Sequence, residues 1–467
     1  MSTGGRRDER SVLEYRAFLG LAMASTALSI DLVLPAFARI RRDLGLAPES
    51  AATATLITVF FLGLALGQIP WGLLSDRHGR RLSFRCSGLL FVIGALGATF
   101  SPSLGPMIAC RFVWGLGAAG MRLTTTAMVR DRFVGAAMAR EMSFVWTVFM
   151  TVPVVAPSLG SILIRILPWR STFAFCALFA VVLLVWHARM PETLAPERRQ
   201  PMELRQLAVA TRAICASPKA LGYTLAMMPA FAAFSSWLAS SERIVGDVFG
   251  RRGQFPYVFG GVALLMTAGA VVVGRRVERI GLDRLITGAL VAYTLTSAVA
   301  FVVARHAHGR PGFWVYMPVL ALALTCHNAL FPNLNAAAMV PVGHVAGTAA
   351  AVIGTVSTIV GALAGSAIDR AFDGTVNPFS TACLVAGGLS LLAVLTVARR
   401  GRPRPRRFSW RSAPSGVGDR QENAAHVSVQ APSTRRAARS SATGRSSAVV
   451  TLMLRTSPGT AATASRP

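Results

Sequence analysis

Long apolar stretches recur from about residue 17 to residue 398, separated by short clusters of charged and turn-forming residues. Each is near the ~20 residues that a helix needs to cross a ~30 Å hydrocarbon core. Bounding them by the intervening charge and turn clusters predicts twelve helices, near 17–38, 52–74, 83–102, 105–129, 140–164, 170–188, 220–241, 255–275, 284–304, 312–338, 345–368 and 378–398. The longest connection, 189–219, follows the sixth and divides the chain into six plus six. The pattern predicts an all-α integral membrane protein, twelve transmembrane helices in two six-helix halves. Its parts are an N-terminal segment 1–16, a first half 17–188, a linker 189–219, a second half 220–398 and a tail 399–467. The tail is rich in Arg, Ser, Ala, Pro and Gly and shows no apolar periodicity beyond a short run at Ala448–Leu454, so it is predicted to be disordered.

Composition agrees with the pattern. The chain is 53% hydrophobic and 15% charged, with a mean hydropathy of +0.51, too little charge to cover a soluble surface of this size. The net charge of +28 would suggest nucleic acid, but its placement argues otherwise. Of 48 basic residues 14 lie in the tail and most others in short loops, with no basic face interleaved with aromatics. No nucleic-acid partner is expected. Charge beside membrane spans orients them and meets lipid headgroups. With the N-terminus inside, 21 basic residues outside the tail fall on the inner side against 11 on the outer, which predicts both termini in the cytoplasm. Arg39, Arg41 and Arg42, in the first outer loop, break that rule locally. The first apolar stretch follows Arg6, Arg7, Arg10 and Arg16, as a signal peptide would. It is too long for a leader core and continues through Asp31, so it is predicted to be a retained first span. The six cysteines are scattered and form no C-x-x-C pair, which suits small buried hydrophobes. No metal or cofactor is expected.

An internal repeat supports the two-half plan. Gly72-Leu-Leu-Ser-Asp76-Arg77-His-Gly79-Arg80-Arg81 follows the second span, and Gly274-Arg-Arg-Val-Glu278-Arg279-Ile-Gly281 follows the eighth. In both, an acid stands four residues after a glycine and is followed by Arg and a second glycine. Parallel repeats of this kind build transporters that bind substrate between the halves.

Gly72–Arg81 resembles the loop signature G-x-L-x-D-R-x-G-R-[RK] of the major facilitator superfamily. Arg111-Phe-Val-Trp114-Gly115-Leu-Gly117 resembles that family's fourth-span motif R-x-x-Q-G-x-G, with Trp in place of Gln. Pro153-Val-Val-Ala156-Pro157-Ser-Leu-Gly160 resembles the fifth-span motif of its proton-driven exporters, G-x-x-x-G-P-x-x-G-G, with three glycines missing. Leu28-Ser-Ile-Asp31-Leu-Val-Leu-Pro35 and Phe331-Pro332-Asn333-Leu-Asn335 through Ala346-Gly347-Thr348 are similar to the Bcr/CflA (bicyclomycin and chloramphenicol resistance) branch of drug:proton antiporters. The resemblance covers roughly residues 17–398. It implies the major facilitator fold and proton-coupled efflux of small drug-like molecules by alternating access.

Specific residues then acquire roles. Gly72 and Gly79 suit a tight turn and close helix approach, and Asp76 can pair with an arginine or a helix N-terminus, while Arg77, Arg80 and Arg81 sit at headgroup level. The resemblance makes this loop, and Gly274, Glu278, Arg279 and Gly281 in the second half, a conformational latch; the plainer alternative is a turn with topology charge. Asp31 is the one acid read as deep within an apolar run, where a charge costs about 2.5–3.5 kcal/mol or more. It can carry a proton across the cycle, or it can pair at the outer face with Arg39 or Arg42. Arg111, inside the fourth span, either aids proton coupling, as the resemblance implies, or bonds fixed backbone carbonyls. Arg122 either snorkels to the interface or lines the inner cavity. Pro153, Pro157 and Gly160 are expected to bend the fifth span and pack it against the other half, or to form an ordinary kink. Gln68, Trp146, His327, Asn328 and Asn333, with Met142, Ser235, Ser236, Trp237 and Asn335, are candidates for the cavity.

Three function classes can occupy a chain with this many spans. A drug exporter driven by the proton gradient fits best. A metabolite exporter or uptake symporter on the same fold would need more charged cavity residues than Asp31 and Arg111. A membrane enzyme would need clustered His, Asp or Glu, and a channel would need a filter or charged ring; neither pattern occurs. The partners expected are the lipid bilayer, protons and a small-molecule substrate, for a monomer in a bacterial inner membrane.

Overall fold

The computed structural model describes residues 3–47, 50–199 and 204–400; nearly all of the tail predicted over 399–467 lies outside them. The chain folds into helices α1 (Thr3–Asp31), α2 (Phe37–Asp43), α3 (Thr55–His78), α4 (Arg80–Phe100), α5 (Leu104–Arg132), α6 (Gly135–Ile166), α7 (Ser171–His187), α8 (Leu204–Ala216), α9 (Pro218–Arg243), α10 (Phe255–Ile280), α11 (Leu282–His306), α12 (Phe313–Asn328), α13 (Leu330–Met339), α14 (Ala346–Arg370) and α15 (Asn377–Arg400). Among the described residues ten helical stretches are long and apolar enough to cross a bilayer. Helix α7 is apolar but has 17 residues, and α9 carries Ser235, Ser236, Ser240, Ser241, Glu242 and Arg243 towards its end.

Where helices stop, the sequence supplies the reason. Gly79 and Gly281, the second glycines of the two repeats, both take left-handed φ values, +97° and +84°, and each turns the chain directly into the next helix. The tenth predicted span is broken between α12 and α13. Pro332 has no N–H to return to the Asn328 carbonyl, so the helix restarts after Ala329.

Helices α1–α7 pack chiefly on one another, through α4–α5, α3–α5, α1–α6 and α4–α7. Helices α9–α15 do likewise, through α9–α14, α9–α15, α11–α15 and α11–α12. The groups meet chiefly at two seams, α3 against α14 and α6 against α10, with lighter contact of α9 on α3. The glycines of the fourth-span motif account for the tightest packing: a methyl at Gly115 would strike the Phe60 carbonyl of α3, and one at Gly117 the Phe91 amide of α4.

Cross-helix bonds define two ends. At the near end the start of α1 meets the ends of α5 and α7 and the start of α6, through Tyr15 to the Met128 carbonyl, Trp186 to Glu14 and Arg16 to Glu141. At the far end Arg39 reaches the Ile164 carbonyl, Trp169 bonds Asp43, and Arg170 bonds the Ser101 carbonyl. Within the 189–219 linker, amphipathic α8 packs on α14 and α9 and buries Ala210 and Ile214.

Candidate functional site

Asp31 closes α1 at the far end and is 3% exposed. No hydrogen bond or ion pair reaches its carboxylate among the described residues; Arg39 is committed to the Ile164 carbonyl and Arg42 is exposed. One residue further, the Leu32 carbonyl faces Gly160 of α6 so closely that a methyl at Gly160 would overlap it. The exporter-motif glycine thus brings α6 against α1 immediately beside Asp31, within one group of helices. Packing against the other half was expected there. That contact is made instead by Val154, whose carbonyl would lie 2.8 Å from a methyl at Gly260, and by Met150, whose carbonyl accepts from Thr267 at 3.3 Å. Helix α6 runs on through Pro153 and Pro157 as one helix.

Arg111 is fully buried. It donates to the Ser29 carbonyl of α1 (2.9 Å) and the Leu56 carbonyl at the start of α3 (3.3 Å). Its guanidinium lies 4.8 Å from the Phe60 ring, 4.7 Å from Trp114 and 5.9 Å from Phe173. Trp114, the departure from the family motif, is therefore a cation–π wall. Among the described residues no carboxylate lies within ion-pair distance of Arg111, which in this conformation ties α1 and α3 to its own helix α5. Arg122 is half-buried, with no side-chain partner among the described residues.

The Gly72–Arg81 loop is knit into the first group of helices. Arg80, expected at headgroup level, is buried and bonds Asp131 (2.7 Å), Asp76 (2.6 Å) and Ser75 (2.9 Å). The carboxylates of α3 and α5 draw it inward. Arg77 and Arg81 are exposed as expected. Asp76, 53% exposed, has no bond to the second group among the described residues. Among the described residues Gly72 and Gly274 make no close approach, since none lies within 4 Å of a methyl built at either. Arg279 is exposed; the Glu278 side chain lies outside the described residues.

Glu192, which the sequence did not single out, completes this cluster. It accepts four backbone N–H bonds: from Arg80 (2.9 Å) and Arg81 (3.0 Å) at the start of α4, and from Thr193 (2.9 Å) and Leu194 (3.0 Å). Partial desolvation pushes its carboxyl up, but the four donors outweigh this and hold it below the usual carboxylate range. Thr193 adds a bond to Asp131 at 3.2 Å. The signal was the acid in Pro191-Glu192-Thr193, just beyond the sixth span.

The remaining candidates divide. Gln68 is buried in the α3–α14 seam, where Gly354 leaves it room, and Thr355 bonds the Ala65 carbonyl across the same seam at 3.0 Å. Trp146 is 40% exposed and meets Phe149 edge-on. His327 is buried in the second group, bonded to the Ala230 carbonyl (2.7 Å) and stacked on Phe234, while Asn328 bonds the Met266 carbonyl of α10. Asn333 turns back on its own helix. These three serve packing here.

Asp31 is not the one buried acid. Glu141, Glu242 and Asp369 are also buried, each at a helix end where a charge reads from sequence as interfacial. Glu141 pairs with Arg16, Glu242 with Arg41 at 2.8 Å, and Asp369 accepts from Ser236 (2.7 Å) and Ser240 (2.6 Å). Asp31 differs in having no side-chain partner among the described residues.

Comparison with known proteins adds the lineage. The model of the Major Facilitator Superfamily matches residues 19–365. A Haemophilus influenzae "Bicyclomycin resistance protein homolog" is 27% identical over 398 residues, covering 84% of this chain and 98% of that protein. A Pseudomonas aeruginosa "Chloramphenicol resistance protein" is 28% identical over 359 residues, 72% of this chain and 80% of that one. The crystal structure of a D-xylose-proton symporter superposes with a TM-score of 0.64 over 82% of this chain and 97% of its own, at 15% identity, a likeness of fold alone.

Proposed function

Because the chain belongs to the major facilitator superfamily, and is thus a multi-pass membrane transporter rather than an enzyme, we propose that it exports small drug-like molecules in exchange for protons. All twelve long hydrophobic segments span the membrane, with α12 and α13 making one broken span. Two six-helix halves, α1–α7 and α9–α15, rock about the α3–α14 and α6–α10 seams. The bias of basic residues supports an orientation with both termini in the cytoplasm and the near end facing inward, for a monomer in a bacterial inner membrane. The names of the drug-resistance relatives support export.

The observation that carries the proton-coupled reading is Asp31: a carboxyl taken out of water with no counter-ion beside it. Such a group exchanges its proton only when water reaches it, taking one up from the more acidic side and giving it up to the less acidic one. In this conformation the far end is shut, with Arg41 and Glu242 buried, and Asp76 and Trp146 are exposed at and towards the near end. In the half-cycle open to the cytoplasm the protein takes up drug. Rocking then exposes Asp31 to the outside, where drug leaves and a proton binds. Arg111 keeps α1 and α3 in register while α6, seated on Leu32 through Gly160, transmits the movement. Gln68, Arg122 and Trp146 border the path between the halves, and the Asp76 loop latches the near end when it closes. The proton gradient is the sole energy source.

Expression in a host stripped of its own exporters, screened on a drug panel that includes bicyclomycin and chloramphenicol, tests this. Resistance to at least one drug is expected, abolished by a protonophore and by Asp31→Asn. Undiminished resistance in Asp31→Asn would overturn the coupling.

A further inference from the structure

Among the described residues the two ion pairs that cross between the helix groups both use Arg41, at 2.8 Å from Glu242 and 3.8 Å from Asp247. The pair is shut away from solvent, with Arg41 3% and Glu242 2% exposed. Arg41 also donates to Thr53 at 3.2 Å, and Arg252 lies 3.6 Å from Glu242 and pairs with Asp247. Two arginines and two acids thus alternate in a quartet, with buried Arg243 of α9 adjoining them and reaching on to the Asp369 carbonyl at 3.4 Å. One member comes from α2, one from the end of α9, one from the π-helical turn Ile244–Val248, and one from the short turn Arg252–Gln254. A π turn in a helical segment commonly marks a working site. The same arginine is one of three that violate the inner bias of positive charge, and this bond gives it a reason to stand on the outer side.

We propose that Arg41 and Glu242 are the far-end gate, positioning residues whose pairing holds the outward side shut and whose separation opens it; this rests on the alternating-access reading above. Ionic closure suits a seam that must open in every cycle. The attraction within a buried pair largely offsets its desolvation, and once parted each charge is rehydrated, so closed and open states lie close in free energy. An apolar seam would instead resist opening in proportion to its area. Removing the Glu242 charge leaves Arg41 only its 3.8 Å contact with Asp247 across the seam, which weakens the closed state and shifts the gate towards open. Replacing both by leucine removes the need for water and drives it shut.

Spin labels at Ser103→Cys and Arg310→Cys, exposed far-end positions in the two groups, report the opening by pulsed electron resonance in proteoliposomes, with exposed Cys215 replaced by serine. No substrate is required. Glu242→Gln is expected to raise the ratio of long to short distances by about tenfold or more. Arg41→Leu/Glu242→Leu should lower it, and the exchanged pair Arg41→Glu/Glu242→Arg should return it towards wild type. A role confined to folding would reduce yield and melting temperature in all variants without these opposite shifts. Wild-type distances in both Glu242→Gln and the double leucine would overturn the gate, whatever the drug screen shows. The predicted shifts in a protein that exports no drug would uphold the gate and sink the substrate assignment.

Discussion

Adding one methyl at Gly79 tests the near-end cluster at its tightest point. Gly79 sits at φ +97° and ψ 165°, a region essentially restricted to glycine, so alanine there costs about 1–3 kcal/mol in backbone strain. The new methyl would lie 2.5 Å from Glu192 Oε2 and 2.9 Å from its Cδ, so the carboxylate must move away. Arg80 and Arg81 then lose their acceptor at the start of α4, each N–H bond contributing about 0.5–1.5 kcal/mol net. The local loss is about 2–6 kcal/mol, and even its lower end corresponds to roughly 30-fold, at about 1.4 kcal/mol per factor of ten. Hydrogen exchange read on the peptide holding Arg80 and Arg81 in purified Gly79→Ala should therefore accelerate by about 30-fold or more. Gly72→Ala is the internal control. Its site is helical and open, so exchange should be unchanged or slower, alanine being favoured by about 1 kcal/mol. Exchange in Gly79→Ala within threefold of wild type would refute the clamp.

Glu192→Gln removes the charge but keeps the shape. Because the folded carboxyl is held below its unfolded value, its contribution is complete above about pH 4.3 and is lost as pH falls through the folded pKa. Exchange of the Arg80 and Arg81 amides should therefore gain an acid-dependent acceleration in wild type that Glu192→Gln lacks; identical pH profiles would contradict it. Arg111→Lys keeps the charge but cannot stack on Trp114 while reaching two carbonyls, so the melting temperature should fall by several degrees, at about 1–3 kcal/mol. An unchanged melting temperature would mean the aromatic wall is incidental. Asp76→Asn should insert normally yet transport poorly, since its partner in this conformation is Arg80 alone and its latch role belongs to the opposite one. Wild-type efflux would remove that role.

Much of the architecture was legible because membrane burial writes itself into local composition. Each long helix coincides with an apolar run, and the two repeat glycines, Gly79 and Gly281, both turn the chain as their spacing implied. Local pattern could not show which partner a polar group finds across the bundle. Glu242, Asp369 and Glu141 stand at span ends and look like interfacial charge until folding joins them to Arg41, Ser236 and Arg16. Arg80 looked like a headgroup contact because Asp131, its chief partner, lies 51 residues away. Gly160 was read correctly as a close-packing residue but against the wrong surface, since sequence distinguishes a small residue from a large one and not which helix it meets. His327 and Asn328 fell to packing for a related reason: a buried polar group must satisfy itself wherever it lies, so its presence in a span does not mark a cavity. One anomaly did carry information. The arginines at 39, 41 and 42 contradicted the charge bias, and two of them, Arg39 and Arg41, turn out to hold structural bonds.

The proton's place on Asp31 can be measured without a membrane gradient. Adding the drug that meets strongest resistance to purified protein in weakly buffered detergent should release protons from wild type, since substrate and proton exclude one another in an antiporter. Asp31→Asn should bind the same drug and release none. Equal proton release from Asp31→Asn would locate the exchanged proton on another residue and contradict the mechanism.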